Sequence, residues 1–136
     1  MRLVLVNTSG RKRFACALPD EAIVIDGDVD RLQQIFSNLV GNAFKYSAPD
    51  GLVRVMLERR GRSAIVAVQD QGEGIAREDL PRIFDLFQRM TKTGSGLGVG
   101  LAVVRALVDA HHGTIAAASE GRGRGTTFTV SLPTSD

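Results

Sequence analysis

The stretch from Asp28 to Tyr46, Asp-Val-Asp-Arg-Leu-Gln-Gln-Ile-Phe-Ser-Asn-Leu-Val-Gly-Asn-Ala-Phe-Lys-Tyr, reads as one amphipathic helix with a second message on its polar side. Leu32, Ile35, Phe36, Leu39, Val40 and Ala43 recur at three- and four-residue steps. At about 100° per residue they fall on one side of a cylinder, which should face a core. On another side Asn38, Asn42, Lys45 and Tyr46 line two carboxamides, an ammonium and a phenol along one ridge. Asn is a poor helix former because its short amide competes with the backbone. Two of them one turn apart in mid-helix therefore point to a ligand or metal beside the helix, although on this helix alone a pair of solvated or capping asparagines stays open.

A chain of 136 residues is one domain with room for a real core. Its hydrophobic content of 43% and charge of 24% are globular values and exclude a disordered chain. The net charge is only +2, with basic residues spread among 15 acidic ones, so the balance does not demand nucleic acid. The single Cys16 allows no internal disulfide and is expected to be a buried thiol, which fits a reducing compartment. Leu3 to Val6, the longest N-terminal apolar run, is too short for a signal core or a membrane span. The chain as given reads as soluble, and could still be a piece of a larger, even membrane-anchored, protein.

Taken in order, Leu3 to Val6 is a short strand or a loosely held arm, followed by the basic run Arg11-Lys12-Arg13. Phe14 to Leu18 and Ala22 to Ile25 read as two strands joined across Pro19-Asp20. Asp26-Gly27-Asp28 turns the chain into the central helix, where an acidic residue can cap the exposed amides. Pro49 and Gly51 end that helix. Leu52 to Glu58 and Ala64 to Gln69 form a second hairpin around Arg59-Arg60-Gly61-Arg62.

The second strand of that hairpin runs into Asp70-Gln71-Gly72-Glu73-Gly74-Ile75. A carboxylate directly after an apolar strand, followed by two glycines that let the backbone approach a ligand, suits a pocket floor, with a decorated turn as the alternative. Arg77 to Leu80 and Pro81 to Phe87 look like two short helical turns anchored by Ile83, Phe84, Leu86 and Phe87. Gln88 to Ser95 has no periodicity and reads as a polar lid.

Gly94-Ser95-Gly96-Leu97-Gly98-Val99-Gly100 then opens a helix with Leu101, Val104, Ala106, Leu107 and Val108 on its apolar side, ended by His111-His112-Gly113. Glycines before a helix let free backbone amides point at an anion, and the helix dipole favours negative charge there. The pattern is neither a P-loop nor a dinucleotide-binding fingerprint, since no Gly-Lys-Ser/Thr follows and the glycine spacing lacks the third fingerprint position. Thr114 to Ala118 and Thr126 to Leu132 form a last pair of strands. The expectation is seven strands and three main helices, with the helices on one face of the sheet.

Four motifs in order now resemble those of a known family. Asn38-Leu39-Val40-Gly41-Asn42-Ala43-Phe44-Lys45-Tyr46 is similar to an N box, Asp70-x-Gly72-x-Gly74 to the first glycine box, Phe84-x-x-Phe87 to the F box, and Gly96-x-Gly98-x-Gly100-Leu101 to the second glycine box. These are the ATP-binding marks of sensor histidine kinases of two-component signalling. The resemblance runs from about Phe14 to Pro133 and includes the closing Gly125-Thr126-Thr127-Phe128 and Leu132-Pro133.

The resemblance implies a Bergerat α/β (α+β) two-layer sandwich, with a mixed, mainly antiparallel sheet, three main helices on one face, and ATP between the central helix and the lid. Asp70 would accept the adenine amino group, disfavouring guanine, which presents a carbonyl there. Asn42, with Asn38 one turn away, would hold Mg²⁺. Lys45 and Arg89 would neutralise phosphate charge, and Tyr46 would contact the nucleotide. Gly72, Gly74, Ile75, Phe87, Leu101 and Thr127 complete the expected ATP site, and the amides across Gly96, Leu97, Gly98, Val99 and Gly100 would cradle the phosphates. Catalysis would rest on Asn38, Asn42, Lys45 and Arg89.

Gyrase-type and chaperone ATPases of the wider superfamily, and its serine kinases, typically carry Glu as general base where this chain has Asn38. A carboxamide cannot take a proton from water or serine, whereas a neutral imidazole is already a nucleophile. Transfer to histidine is therefore favoured over hydrolysis. His111-His112-Gly113 departs from the more usual His-Gly-Gly, the lid is short, and no helical hairpin with a phosphoacceptor histidine precedes Phe14.

Residues 1–136 are thus expected to be a kinase catalytic and ATP-binding domain, with 1–12 open between a short strand and a loosely ordered arm. Its expected partners are a histidine-containing dimerisation domain of the same kinase and, downstream, a response-regulator receiver domain. It is expected to be cytoplasmic, without nucleic acid or direct membrane contact. A nucleotide-sensing module without phosphotransfer is the alternative. A nucleic-acid domain built on Arg11-Lys12-Arg13, Arg59-Arg60 and Arg122 to Arg124 would require salt-sensitive binding.

Overall fold

The computed structural model describes residues 2–7, 13–47, 51–84 and 97–135. Strands β1 (Arg2–Asn7), β2 (Arg13–Leu18), β3 (Leu52–Arg60), β4 (Ser63–Asp70), β5 (Thr114–Ala118) and β6 (Thr126–Pro133) form one sheet in the order β1-β2-β3-β4-β6-β5. Helices α1 (Val29–Tyr46) and α2 (Leu97–Ala110) are the long helices among the described residues, with a single 3-10 turn at Leu80–Arg82. Three main helices were expected. The described part of 77–87 supplies only turns, and Asp85 to Gly96 lie outside the described residues.

Every pairing is antiparallel except β2 with β3, where Phe14 stands beside Val53 and Cys16 beside Val55. A parallel pair needs a long crossover, and α1 supplies it. Among the described residues six strands form where seven were expected of the chain, and Ala22 to Ile25 makes none. β1 takes one side of β2 and β3 takes the other, so β2 has no edge left for the hairpin expected with residues 22–25. Val24 is instead 60% exposed, and its carbonyl receives the Ser135 N–H and hydroxyl at 2.9 and 3.1 Å.

Helix α1 begins where Asp28, in extended conformation, accepts from the Arg31 N–H at 3.1 Å. Its stripe of Ile35, Leu39 and Ala43 is buried, as the periodicity required. Those side chains meet Leu101, Val104 and Val108 of α2 and one face of the sheet, Val53, Val68, Phe128, Val130 and Leu132. The alternating burial along β6 follows, with Thr126, Phe128, Val130 and Leu132 turned in. Phe14 stacks on Phe44 at 5.8 Å, and Phe84 meets Phe128 edge-to-face at 6.3 Å, so the first F-box phenylalanine is a core residue. Cys16 is a free, half-buried thiol.

The end of α2 explains the departure at His111-His112-Gly113. His112 has φ 63, while the His112 and Gly113 amides donate to Asp109 and Val108 carbonyls, the pattern of a left-handed helix stop. A glycine fits that position more easily, and here a histidine occupies it. His111 is a clasp. Its Nδ1 donates to the Leu107 carbonyl at 2.8 Å, which leaves Nε2 to accept the Asp28 N–H at 3.2 Å and ties α2 to the start of α1.

Candidate nucleotide site

Strand β4 ends at Asp70, in register with Thr126 of β6. Alternation from Val68 and Phe128 turns both side chains to the helix-covered face, where Asp70 is 8% exposed and Thr126 7%. The Gly72 and Thr126 backbone amides stand beside the Asp70 carboxyl and favour its charged form. Its Oδ1 is buried without a partner among the described residues. A buried carboxylate oxygen left without a donor is costly unless a ligand supplies one.

The chain after Asp70 is laced to the end of α1. Ser47 and Gly72 form an antiparallel bridge, and the Glu73 N–H donates to the Tyr46 carbonyl at 3.1 Å. The approach is so close that a Cβ on Gly72 would collide with the Tyr46 carbonyl and stand 2.7 Å from Ser47 Cα. Glycine is required there by space. On the other side Gly125, at φ 75, donates to the Gly72 carbonyl at 3.2 Å and passes against the Asp70 backbone. Gln71 braces the same end through its Oε1, which accepts the Leu52 N–H at 3.1 Å.

The second site atom belongs to α1. Asn42 Nδ2 is buried without a partner among the described residues, and it lies 3.8 Å from the place a Cβ on Gly100 would take. The N box and the second glycine box therefore meet at this amide. Amide N and O exchange by a half-turn of the side chain, so Asn42 can present either a donor or an acceptor to a ligand. Asn38, half-buried, stands one turn back, Lys45 is exposed with its ammonium 5.3 Å from the Tyr46 ring centroid, and Tyr46 is half-buried. The expected ridge is present.

Ile75 is buried beneath the first glycine box and Leu101 beneath the second. Leu97, Gly98 and Val99 form the first turn of α2, where backbone amides are free to meet an anion. Phe87, Arg89 and Gly96 lie outside the described residues. One expected residue falls on the wrong side. Thr127 pairs with Gln69 and Ala118 and turns to the open face of the sheet, away from Asp70. Its neighbour Thr126 shares the Asp70 face, a parity that counting back from buried Phe128 would have found. A cleft of about 310 Å³ opens at the same strand end, lined by Leu52, Arg54, Gln69, Asp70, Gln71, Gly123, Arg124 and Gly125.

Burial pushes the Asp70 carboxyl up from its ordinary 3.8 to about 6; the Gly72 and Thr126 amides oppose the shift and the charge of Glu73 adds to it. A carboxylate that must accept from an adenine amine has to be ionised. If Asp70 accepts an adenine amine, as the resemblance implies, adenine-nucleotide affinity is expected to plateau about one pH unit above 6 and to fall towards tenfold per pH unit well below it. Titration calorimetry between pH 5 and 8 checks this, and a flat profile would contradict it.

The comparisons with known proteins agree with this geometry. The family described as histidine kinase-, DNA gyrase B- and HSP90-like ATPase matches residues 27–136. The chain is 41% identical over 129 residues to the sensor histidine kinase TrcS of Mycobacterium tuberculosis, covering 89% of this chain and 25% of that protein. It is 36% identical over 126 residues to the sensor histidine kinase WalK of Bacillus subtilis, covering 88% and 20%. The chain thus spans a quarter or less of these relatives. Among solved structures, the mycobacterial sensor histidine kinase MprB superposes with a TM-score of 0.79 at 28% identity, over 90% of this chain and 84% of that one. Full-length ShkA in complex with AMPPNP gives 0.77 at 31%, over 90% and 26%. No described helix is long and apolar enough to cross a membrane. The chain belongs to the histidine kinase-, DNA gyrase B- and HSP90-like ATPase family, and within it corresponds to the ATP-binding catalytic domain of sensor histidine kinases.

Proposed function

We propose that the domain binds Mg-ATP with adenine on Asp70 and phosphates beside Asn42, and passes the γ-phosphoryl group to a histidine on a separate dimerisation domain. The observation that carries this reading is the pair of buried polar atoms without a partner among the described residues, Asp70 Oδ1 and Asn42 Nδ2. Asp70 Oδ1 accepts from the adenine amine, and guanine, with a carbonyl at that place, is repelled. Asn42 and Asn38 fit a hard cation that takes oxygen ligands, and bound Mg²⁺ would neutralise charge on the transferring phosphate. Lys45 and Arg89 serve as phosphate cations, Tyr46 and Phe87 border the nucleotide, and the Gly96 to Gly100 amides hold the phosphates.

No carboxylate stands at Asn38, so nothing on that turn can take a proton from water or a hydroxyl. A neutral imidazole needs no such base. The domain positions and neutralises, and the acceptor brings its own nucleophile. Receiver-domain relay then follows downstream, on the cytoplasmic side where ATP is available.

Phosphotransfer from labelled ATP to a histidine-bearing dimerisation domain supplied in trans or by fusion tests the proposal. Transfer that Asn42→Ala lowers at least about 100-fold is expected, since such a change removes an interaction with the reacting phosphates. ATP binding without transfer to any such acceptor would favour a nucleotide-sensing module instead.

A further inference from the structure

The strand row next to Asp70 turns the other way. Arg54 of β3 pairs with Gln69 of β4, Gln69 pairs with Thr127 of β6, and Ala15 and Ala118 extend the row to β2 and β5. Val53, Val68 and Phe128, one position along each strand, are buried against the helices, so alternation sends Arg54, Gln69 and Thr127 to the opposite face of the sheet. With strands about 4.8 Å apart, a guanidinium, a carboxamide and a hydroxyl stand side by side over about 10 Å. All three can donate, and the guanidinium can only donate.

The β5–β6 loop adds a second guanidinium. Arg54, Gln69 and Arg124 line the cleft of about 310 Å³ at this strand end, and Gln69, Arg124 and Thr127 line a neighbouring one of about 220 Å³. Arg54, Gln69 and Arg124 are exposed, and neither guanidinium has an ion-pair partner among the described residues. Two acidic residues border the clefts. Asp70 turns its carboxylate to the helix-covered face, and Glu120 lies beyond the end of β5, across the second cleft from β3. The Arg54 side is thus a cationic surface without a counter-charge of its own.

We propose that this cleft docks an acidic peptide segment of a partner protein, whose carboxylates pair with Arg54 and Arg124 while Gln69 and Thr127 donate to its remaining acceptors. Exposed charge pairs are individually weak, so a single small anion gains little here, whereas a segment bearing several carboxylates engages both guanidinium forks and the polar row at once. No aromatic side chain stands in the row for a base to stack on, which separates it from a surface for single-stranded nucleic acid. Arg54 and Gln69 face away from the helix-covered side that holds Asn42 and the Asp70 carboxylate, so a docked segment leaves the nucleotide surface open. The inference stands independently of the nucleotide reading.

The test is fluorescence anisotropy on the whole chain, with a labelled Glu-Gly repeat peptide and its Gln-Gly counterpart. Saturable binding of the Glu-Gly peptide alone is expected, weakening as salt is raised. Arg54→Gln with Arg124→Gln should lower the affinity about tenfold or more, with ATP-analogue affinity unchanged. Arg54→Lys with Arg124→Lys, which keeps the charge and loses the forks, should fall between and takes the first pair's place should that pair not fold. Arg59→Gln with Arg62→Gln, the same loss of charge at the other end of the β3–β4 hairpin, should change the affinity less than about twofold. Equal losses in the two Gln pairs would reduce the binding to net-charge attraction and overturn the proposal. Absence of saturable binding by a protein that melts cooperatively would overturn it too. A labelled oligothymidylate that binds more tightly than the peptide, and is lost in the Arg54 and Arg124 variant, would replace the acidic partner with nucleic acid.

Discussion

Asp70→Asn is expected to lose adenine-nucleotide affinity by about 100-fold or more while making the nucleotide-free domain more stable at neutral pH. Both effects follow from one oxygen. The Gly72 and Thr126 amides beside the Asp70 carboxyl favour an acceptor, so an asparagine is expected to turn its single oxygen towards them. Its NH₂ then takes the place of Oδ1 and meets the adenine amine donor to donor. The same NH₂ suits the carbonyl of guanine, so the ratio of ATP to GTP affinity should fall towards or below one. Stability moves the other way because the buried charge is gone. Between pH 3.8 and about 6 the folded protein binds a proton at Asp70 that the unfolded chain has released, so stability falls as pH rises through that window. The penalty levels off about one pH unit above 6, and the variant lacks it. Thermal melting at pH 7 should rise by several degrees, and the wild type should approach the variant towards pH 4. A variant that melts with the wild type at pH 7 and still prefers ATP would contradict both halves.

Gly72→Ala should be among the most damaging single methyls in the described part of the chain. The added carbon meets the Tyr46 carbonyl and Ser47 Cα, both backbone, so no flexible side chain can yield. The end of β4 must separate from the end of α1, breaking the Glu73–Tyr46 hydrogen bond and displacing one of the two amides beside the Asp70 carboxyl. A loss of about 3 kcal/mol is expected from overpacking of this kind, with nucleotide affinity reduced more than tenfold. Gly41→Ala is the control. It lies in α1 with nothing within 4 Å of the added carbon, and should stabilise by up to about 1 kcal/mol as an ordinary helix substitution. Urea denaturation of the two variants separates these outcomes, and equal midpoints would contradict the steric argument.

The features legible in the sequence were those written as local period or local punctuation. The α1 stripe of Ile35, Leu39 and Ala43, the Asp28 cap, the β3–β4 hairpin and the carboxylate-glycine sequence at Asp70 each depend on residues within a few positions of one another. What escaped depends on partners far along the chain. Residues 22–25 have strand composition, and β1 and β3 on both sides of β2 leave no edge there for the expected hairpin. Motif likeness named Thr127 without regard to strand parity, and the register places Thr126, not Thr127, on the face shared by Phe128 and Asp70. The row of Arg54, Gln69 and Thr127 carries no periodic or motif signal of its own. Only the register of β3, β4 and β6 brings the three side by side.

The Asn42 amide was legible as unusual, since a mid-helix Asn asks for a reason, but its meeting with Gly100 required the packing of α1 on α2. A similar division holds for His112, whose positive φ explains a residue choice that composition alone left unexplained.

The measurement that bears most directly on the site is calorimetric titration of the domain with a non-hydrolysable ATP analogue and Mg²⁺, beside the GTP analogue and Asp70→Asn. Saturable binding that prefers adenine, weakens below pH 6 and collapses in the variant is the predicted result. A folded wild-type domain that binds neither analogue, or binds both equally well with and without the Asp70 carboxylate, would contradict the assignment of Asp70 Oδ1 and Asn42 as the two ends of a nucleotide site.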